Sequence, residues 1–239
     1  MIKGIIFDLD GTTLNTLFDI QAAINDTLKE FNFPPRTYDE VRIAVGRGSK
    51  VMIKESLPDG ASDELIDKVL KRYLQIYSEN YDILTTPYEG MSDLLKTLQE
   101  KGIAMCVNTN KPDDIARPLI KSKFPNIEFM DILGQVDYIQ RKPDPAGANL
   151  QVSKMGFSKE EVLYIGDSET DYATAKNAKL KFIGCSYGFR GRAFLEAQGV
   201  ENIIDEPVEL LNYLVITHES WCQIKTSNLI RFYAYILLI

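Results

Sequence analysis

The stretch Gly4–Thr13, GIIFDLDGTT, decides the fold of this 239-residue chain. Its apolar part, Gly4–Leu9, has the length and composition of a strand that is buried on both faces, as strands of parallel sheets are. Asp8 and Asp10 lie at the end of this run, and Gly11 follows them, where a tight turn is expected. The stretch therefore predicts a parallel strand that ends in two carboxylates.

Strands and helices alternate along much of the remaining chain. Apolar runs predict three further buried strands and one short edge strand, at Ile103–Asn108, Val162–Gly166, Leu180–Gly184 and Ile203–Asp205. Helical spacing predicts helices at Met91–Lys101, at Pro145–Met155 with Asp144 as N-cap, and at Pro207–Leu214. This alternation is typical of an α/β protein with a doubly wound, Rossmann-like parallel sheet.

One long segment, from about Asn15 to Leu84, interrupts the alternation. It carries helical patterns but no convincing strand, at Ile20–Phe31, Tyr38–Val45, Lys50–Leu57 and Asp63–Tyr81. We therefore predict a small all-helical domain at 16–85, inserted after the first strand, and a core domain formed by 1–15 and 86–216. Residues 217–239 are a C-terminal extension of unknown role, whose apolar end is too short for the roughly 20 residues of a membrane span.

The overall charge and the rarity of cysteine and histidine restrict the classes of function. The chain has 27 Lys and Arg against 34 Asp and Glu, a net charge of −7, which argues against nucleic acid or an anionic membrane surface as a partner. Three cysteines without metal-ligand spacing favour a reducing cytoplasm over a disulfide framework. The single histidine, His218, lies near the C-terminus, so a mechanism based on carboxylates, lysine and a metal is favoured over a histidine triad.

Asp8 and Asp10 are the first candidates for chemistry. Side chains at the carboxyl ends of parallel strands face the crevice in which ligands bind. Two carboxylates two residues apart can share that crevice in different roles, one ionised as a nucleophile or metal ligand and the other as an acid/base. Backbone N–H groups beyond Gly11 can face an anion. An Asp-Gly turn that merely ends a strand would select the same residues.

Polar residues also follow later strands. Thr109 and Asn110 end the second core strand, where a hydroxyl and an amide suit phosphate oxygens, although a polar turn before Pro112 has the same composition. Lys142, in RKPDP, could hold an anionic substrate and offset the charge of a nucleophile, or it could be an ordinary surface lysine.

Asp167 and Asp171 follow the next strand, in GDSETD. Together with Asp8 they form an oxygen-only set of carboxylates, which is what Mg²⁺ prefers. A helix N-cap at Asp167 or Ser168, with acidic residues in the first turn, is the alternative interpretation. Because every one of these motifs lies at or just beyond a predicted strand end, we expect them to converge on one crevice.

The ordered set DLDGT, Thr109-Asn110, Lys142-Pro143 and GDSETD resembles the haloacid dehalogenase-like hydrolase superfamily, over about Met1 to Leu214. The helical insertion looks like the small cap domain of that family. VGRG, starting at Val45, and TNKP, starting at Thr109, resemble its phosphoglycolate phosphatase group. Thr13, Asn15 and Lys179 depart from the family pattern, which usually has leucine, aspartate and glycine at those positions.

The resemblance implies a phosphatase that hydrolyses a small phosphate monoester, with 2-phosphoglycolate as the leading candidate. It implies that Asp8 attacks phosphorus to form an aspartyl-phosphate, and that Asp10 protonates the leaving alcohol and then activates water. It implies that Mg²⁺ is bound by Asp8, the backbone carbonyl of Asp10 and Asp167, with Asp171 as a ligand or close behind. Lys142 would neutralise charge, while Thr109 and the amides near Gly11 and Asn110 would hold the phosphoryl oxygens.

Several alternatives remain open at this point. A phosphomutase of the same superfamily, similar to beta-phosphoglucomutase, would use the same scaffold, and a phospho-accepting switch uses a similar acidic pocket but lacks the helical insertion. A dehalogenase is disfavoured because that branch lacks the second aspartate. Arg47, between Gly46 and Gly48, is a candidate contact for a substrate carboxylate or an ordinary residue of a solvated loop. The chain is expected to be a monomer or a homodimer.

Overall fold

The structure is a computed structural model that describes residues 1–214, so the predicted extension 217–239 lies outside the described residues. The strands are β1 Gly4–Phe7, β2 Leu14–Asn15, β3 Thr86–Pro87, β4 Ala104–Pro112, β5 Asp131–Gln135, β6 Val162–Gly166, β7 Lys181–Cys185 and β8 Ile203–Ile204. The helices are α1 Leu17–Glu30, α2 Tyr38–Ala44, α3 Ser49–Ser56, α4 Asp63–Asn80, α5 Met91–Glu100, α6 Asp113–Lys123, α7 Ala146–Met155, α8 Glu169–Ala178 and α9 Arg192–Ala197. Lys159–Glu161 and Pro207–Tyr213 are 3₁₀ helices. Across residues 1–214 the helices are too short or too polar to cross a bilayer.

Six strands form one parallel sheet in the order β5-β4-β1-β6-β7-β8. Side chains of β1 alternate between the faces, as the period of a strand requires. Ile5 and Phe7 pack in the apolar cluster that includes α5 and α6, whereas Ile6 packs in the cluster that includes α7 and α8. The predicted α/β fold with a doubly wound parallel sheet is therefore confirmed.

The structure departs from the predicted elements in several places. The edge strand β5 was not predicted, because its sequence, DILGQ, has only a short apolar run. The strand predicted to end at Asn108 continues as β4 to Pro112, so Thr109 and Asn110 lie inside a strand. The C-terminal helix predicted at Pro207–Leu214 is a 3₁₀ helix.

The helices α1–α4 follow β2 and precede β3, and they bury an apolar cluster that is largely their own. The two connections to the sheet run side by side, because β2 and β3 pair in antiparallel fashion, Leu14 with Pro87 and Asn15 with Thr86. The buried carboxylate of Asp19, at the start of α1, accepts hydrogen bonds from the backbone N–H groups of Leu84 and Thr85. These bonds fasten the entry of the helical segment to its exit.

Lys179 ends α8 in a left-handed conformation, with φ of 59°. Leu180 N donates to the carbonyl of Ala175 at 2.8 Å and Lys179 N donates to the carbonyl of Lys176 at 3.1 Å, which is a Schellman motif. Glycine is favoured at this position because a Cβ atom is strained at positive φ. The departure of Lys179 from the family pattern therefore has a local cost.

We expect Lys179→Gly to stabilise the protein by about 0.5–1 kcal/mol, since it removes the strain of a left-handed lysine. The measurement is urea unfolding at equilibrium. Lys176→Gly, an exposed position within the same helix, is the matched control and should destabilise by about 1 kcal/mol. Destabilisation by both variants would contradict this account of the helix end.

Candidate active site

The first strand leads directly into a tight turn that carries the acidic residues. Asp8 N donates to the carbonyl of Ile165 at 2.9 Å, which extends the β1–β6 ladder by one residue, and the Asp8 side chain is buried. The carbonyl of Leu9 accepts from the N–H groups of the next residues of the turn, at Thr12, Thr13 and Leu14. Gly11 has φ of 86°, and a Cβ atom there would overlap the Asp167 carboxylate. Glycine is thus required both by the turn and by the approach of a second acidic residue.

Three buried carboxylates converge at this point. Asp8 follows β1, Asp167 follows β6, and Asp171 lies in the first turn of α8, and one oxygen from each lies within 4.8 Å of the others. The adjacency of β1 and β6 in the sheet brings the first two together. Asp171 is held by Ser168, whose hydroxyl donates to Asp171 Oδ2 at 2.6 Å. Convergence of these three residues was predicted from the strand ends.

Lys142 is the cation of this cluster. Its Nζ lies 2.7 Å from Asp8 Oδ1 and 2.6 Å from Asp171 Oδ1, and its side chain is 4% exposed. The side chain of Asn110 fixes the backbone of Lys142, since Asn110 Oδ1 accepts from Lys142 N at 2.8 Å and Asn110 Nδ2 donates to Lys142 O at 3.1 Å. The side-chain amide of Asn110 is therefore engaged with protein partners, and a contact of Asn110 with phosphate oxygens stays a prediction.

Burial and repulsion from neighbouring carboxylates disfavour the charged forms of Asp8 and Asp167. Burial raises the pKa of Asp8 to about 7, and the neighbouring Asp171 adds to the rise while Lys142 opposes it. Burial, with Asp171 and Asp8, raises the pKa of Asp167 well above its usual value. Although burial lowers it, the pKa of Lys142 is raised well above the usual value by Asp171 and Asp8. Three carboxylates thus share one ammonium group.

The donor set fits a divalent cation. Hard cations prefer carboxylate oxygens, and a second positive group would offset the negative charge that Lys142 alone does not balance. The buried cluster of Asp8, Asp167 and Asp171 could therefore bind a divalent metal ion.

In metal-free protein at pH 7, we expect the free energy of unfolding of Asp8→Asn to exceed that of the wild type by on the order of a few kcal/mol. The folded-state pKa of Asp8 is raised from 3.8 to about 7, so ionising this group costs stability as the pH rises from about 4 to 7. The variant avoids that cost, and its advantage should vanish near pH 4. Urea unfolding with a chelator at several pH values measures the difference.

Asp205→Asn is the control with the opposite sign. Burial raises the pKa of Asp205, but hydrogen bonds from Ser186 and Arg192 lower it, and the net shift is downward. Ionised Asp205 therefore stabilises the protein at neutral pH, and this stabilisation is lost in acid. A wild type that is more stable than Asp8→Asn at pH 7 without metal would contradict the repulsion described for the cluster.

A loop after β7 completes the wall behind Asp167. Phe189 N donates to Asp167 Oδ2 at 2.7 Å, and the Phe189 ring packs in the apolar cluster of α1–α4. Gly188 lies so close that a Cβ atom would overlap both Asp167 Cβ and the carbonyl oxygen of Gly11. This loop was not singled out from the sequence, because the motif SYGFR carries no residue type that indicates metal binding.

Gly188→Ala should shift Asp167 and lower both stability, by about 1–3 kcal/mol, and any metal affinity of the cluster. Thermal unfolding with and without Mg²⁺ measures both effects. Gly199→Ala is the matched control, since Gly199 has φ of 84° but no neighbouring atom within 4 Å of an added Cβ. The stability of that variant should fall by about 1 kcal/mol, while its stabilisation by Mg²⁺ should equal that of the wild type. An equal metal response in all three proteins would contradict the role given to the loop.

Asp10 lies in a second, separate environment. Its Oδ1 accepts from Thr16 Oγ1 at 2.6 Å and from Lys111 Nζ at 2.7 Å, and Lys111 Nζ also lies 2.6 Å from the hydroxyl of Tyr77. Lys111 was missed from the sequence. No local pattern singled it out, because its hydrogen bonds join it to Asp10 and Tyr77, which are far away in sequence.

A narrow cavity of about 40 Å³ lies between the helices α1–α4 and the carboxyl edge of the sheet. Its lining from the sheet side includes Asp8, Asp10, Thr109, Asn110, Lys111, Pro112 and Lys142, and from the helical side Ile20, Val45, Gly46, Gly48, Ser49, Met52, Tyr73 and Tyr77. Asp167, Asp171 and Gly11 lie beside Asp8 rather than on this lining. The structure thus brings together most of the predicted site.

Arg47 is the predicted site residue that the structure does not place at the cavity. Its Nη2 lies 2.8 Å from Glu55 Oε2, and its side chain is 39% exposed. The carbonyl of the preceding residue, Gly46, does reach the core, where it accepts from Asn110 Nδ2 at 3.0 Å. A contact between Arg47 and substrate stays a prediction.

Comparison with known proteins gives concordant results. The family model of the haloacid dehalogenase-like hydrolases matches residues 5–185. The chain is 32% identical to a phosphoglycolate phosphatase of Pseudomonas putida, covering 87% of this chain and 78% of that protein. It is 31% identical to a phosphoglycolate phosphatase of Haemophilus influenzae, covering 89% and 98%. The crystal structure of a predicted phosphoglycolate phosphatase from Haemophilus somnus superposes with a TM-score of 0.82 at 26% identity, covering 89% and 97%.

Proposed function

The chain belongs to the haloacid dehalogenase-like hydrolase family, and from that premise we propose that it is a Mg²⁺-dependent phosphatase of small phosphate monoesters, with 2-phosphoglycolate as its leading substrate. The names of its relatives in Pseudomonas putida and Haemophilus influenzae support this substrate. One observation of the structure carries the chemistry. Two aspartates from one turn face one cavity but have different neighbours. Asp8 lies beside two further carboxylates and Lys142, whereas Asp10 contacts Lys111 and Thr16.

These different neighbours support different catalytic roles for the two aspartates. Asp8 is the nucleophile, because it lies beside both the candidate metal site and the ammonium of Lys142, which lowers the cost of bringing a phosphate dianion to a carboxylate. Asp10 is the acid/base, because it faces the cavity outside the metal cluster, where a leaving group would lie. Asp8, the carbonyl of Asp10 and Asp167 would hold Mg²⁺, with Asp171 close behind, and the ion would shield the charge of the phosphoryl group.

The proposed reaction has two steps. An oxygen of Asp8 attacks phosphorus, the ester P–O bond breaks, and the leaving alkoxide takes its proton from Asp10. Water then attacks the aspartyl-phosphate, Asp10 accepts a proton from that water, and the Asp8–phosphorus bond breaks to release phosphate. Thr109 and the backbone N–H groups near Gly11 and Asn110 hold the phosphoryl oxygens, and Lys142 offsets their charge.

The same proposal assigns the helical segment 16–85 as a cap and residues 1–15 with 86–216 as the catalytic core. The cap supplies the apolar half of the cavity, at Ile20, Met52 and Tyr73. Exclusion of water by such a wall strengthens the electrostatic interactions inside. We place the enzyme in the cytoplasm, where its sparse cysteines would stay reduced, acting on a small molecule.

Phosphate release from a panel of phosphomonoesters that includes 2-phosphoglycolate tests the proposal. We expect turnover that requires Mg²⁺, stops with a chelator, and falls by on the order of a thousandfold or more in Asp8→Asn. Asp93→Asn, an exposed residue of α5, is the matched control and should keep full activity.

Two other outcomes would count against a phosphatase. A folded wild type that turns over substrate only with a bisphosphate activator would indicate a phosphomutase. Transfer of a single phosphoryl group to Asp8 without further turnover would indicate a phospho-accepting switch.

A further inference from the structure

The proposed substrate carries two anionic groups, and the cavity offers a separate cation for each. Among the described residues that line it, Lys142 and Lys111 are the positively charged ones. Lys142 is committed to Asp8 and Asp171, next to where the phosphoryl group would bind. Lys111 lies on the other side of the turn, beside Asp10.

Lys111 has one donor to spare. An ammonium group donates three hydrogen bonds. Two go to Asp10 Oδ1 at 2.7 Å and to the Tyr77 hydroxyl at 2.6 Å, and the third has no partner among residues 1–214. Tyr77 belongs to α4, so the hydrogen bond to its hydroxyl ties the ammonium to that helix. Burial raises the pKa of Tyr77 well above its usual value, so this phenol is neutral and does not cancel the charge of the lysine.

Lys111 is the charged donor on its side of the cavity, and the helical wall adds only uncharged donors at Gly48, Ser49 and the tyrosines. The rest of that wall is apolar, at Ile20, Val45 and Met52. A carboxylate that enters such a space loses its hydration and needs a charged partner. Arg47 does not supply one in this conformation, because it is paired with Glu55 outside the cavity.

The proposed chemistry places a substrate carboxylate next to Lys111. If Asp10 protonates the ester oxygen, that oxygen lies within about 3 Å of the Asp10 carboxyl group. In 2-phosphoglycolate a single methylene group separates this oxygen from the carboxylate. A carboxylate so near to Asp10 is within reach of the ammonium that already contacts Asp10.

We propose that Lys111 is the specificity-determining residue that binds the carboxylate of the substrate, an inference that rests on the proposed phosphatase function. Lys111 then selects short phosphate esters with a carboxylate one carbon from the ester oxygen. Because its partners are Asp10 of the core and Tyr77 of the cap, the pair of contacts also requires the cap to be closed over the substrate.

The test compares two substrates that differ only at the proposed contact, 2-phosphoglycolate and 2-hydroxyethyl phosphate. The readout is the ratio of their kcat/KM values, which is independent of how much of a variant is folded. We expect this ratio to fall about ten- to a hundredfold in Lys111→Met and Lys111→Gln, because a hydrogen bond between charged groups is lost. Lys111→Gln keeps a donor for Asp10 and Tyr77 and so removes little but the charge.

Two controls accompany these variants. Lys121→Met, an exposed lysine of α6, and Arg47→Ala should leave the ratio unchanged. An equal loss on both substrates in the Lys111 variants would overturn the proposal and leave Lys111 as a support for Asp10 alone. A fall of the ratio in Arg47→Ala without one in Lys111→Met would transfer the role to Arg47.

Binding separates this inference from the proposed function. In an Asp8→Asn background, calorimetry should show that Lys111→Met weakens the binding of 2-phosphoglycolate at least tenfold more than the binding of 2-hydroxyethyl phosphate. That result would support the carboxylate site even if the wild type hydrolysed neither ester, which would count against the phosphatase alone. Equal weakening of both ligands would overturn the carboxylate site whatever the activity.

Discussion

The repulsion among three buried carboxylates, with one lysine between them, is the constraint on which the rest of this structure depends. Asp8, Asp167 and Asp171 are held together although burial and their mutual charge disfavour it. The sheet enforces the arrangement, because β1 and β6 are neighbours and end side by side. Close approach then demands residues without side chains, and both Gly11 and Gly188 lie where a Cβ atom would strike Asp167. A site that is unfavourable in isolation is thus stabilised by the fold around it.

The end of strand β4 supplies both groups that line the cavity and support for the site. Thr109, Asn110 and Lys111 all line the cavity, and the side chain of Asn110 also bonds to the backbone of Lys142 and to the carbonyl of Gly46. A single strand end therefore contributes a hydroxyl that lines the cavity, a second cation, and the amide that fixes the first cation. Two buried lysines can therefore lie close to the same acidic turn and still pair with different carboxylates. Each has its own carboxylate, Asp8 for Lys142 and Asp10 for Lys111.

The parts of the fold that could be predicted from the sequence are those that depend on local pattern. Apolar runs gave β1 and β6, and acidic residues that follow them gave Asp8 and Asp167, because a strand end determines where its next side chain lies. The edge strand β5 was missed since an edge needs little apolar sequence, and its place is set by pairing with β4. Lys111 was missed for a different reason. Its importance arises from Tyr77, which is 34 residues away in sequence and meets it only when the cap lies on the core.

The seam between cap and core shows why such contacts matter beyond packing. Phe189 donates its N–H group to Asp167 and accepts at its carbonyl from Arg42 of α2, while its ring is buried among the cap helices. Arg190, the next residue, donates to the carbonyls of Arg42 and Val45, at the C-terminal end of α2 where a cation is favoured by the helix dipole. These bonds tie the cap to the residue that holds a candidate metal ligand. Lys111 and Tyr77 tie the same cap to Asp10. The cap is therefore attached at two separate points, near Asp167 and near Asp10. A shift of the cap would move Asp167 of the acidic cluster through Phe189, and it would move Asp10 through Lys111 and Tyr77.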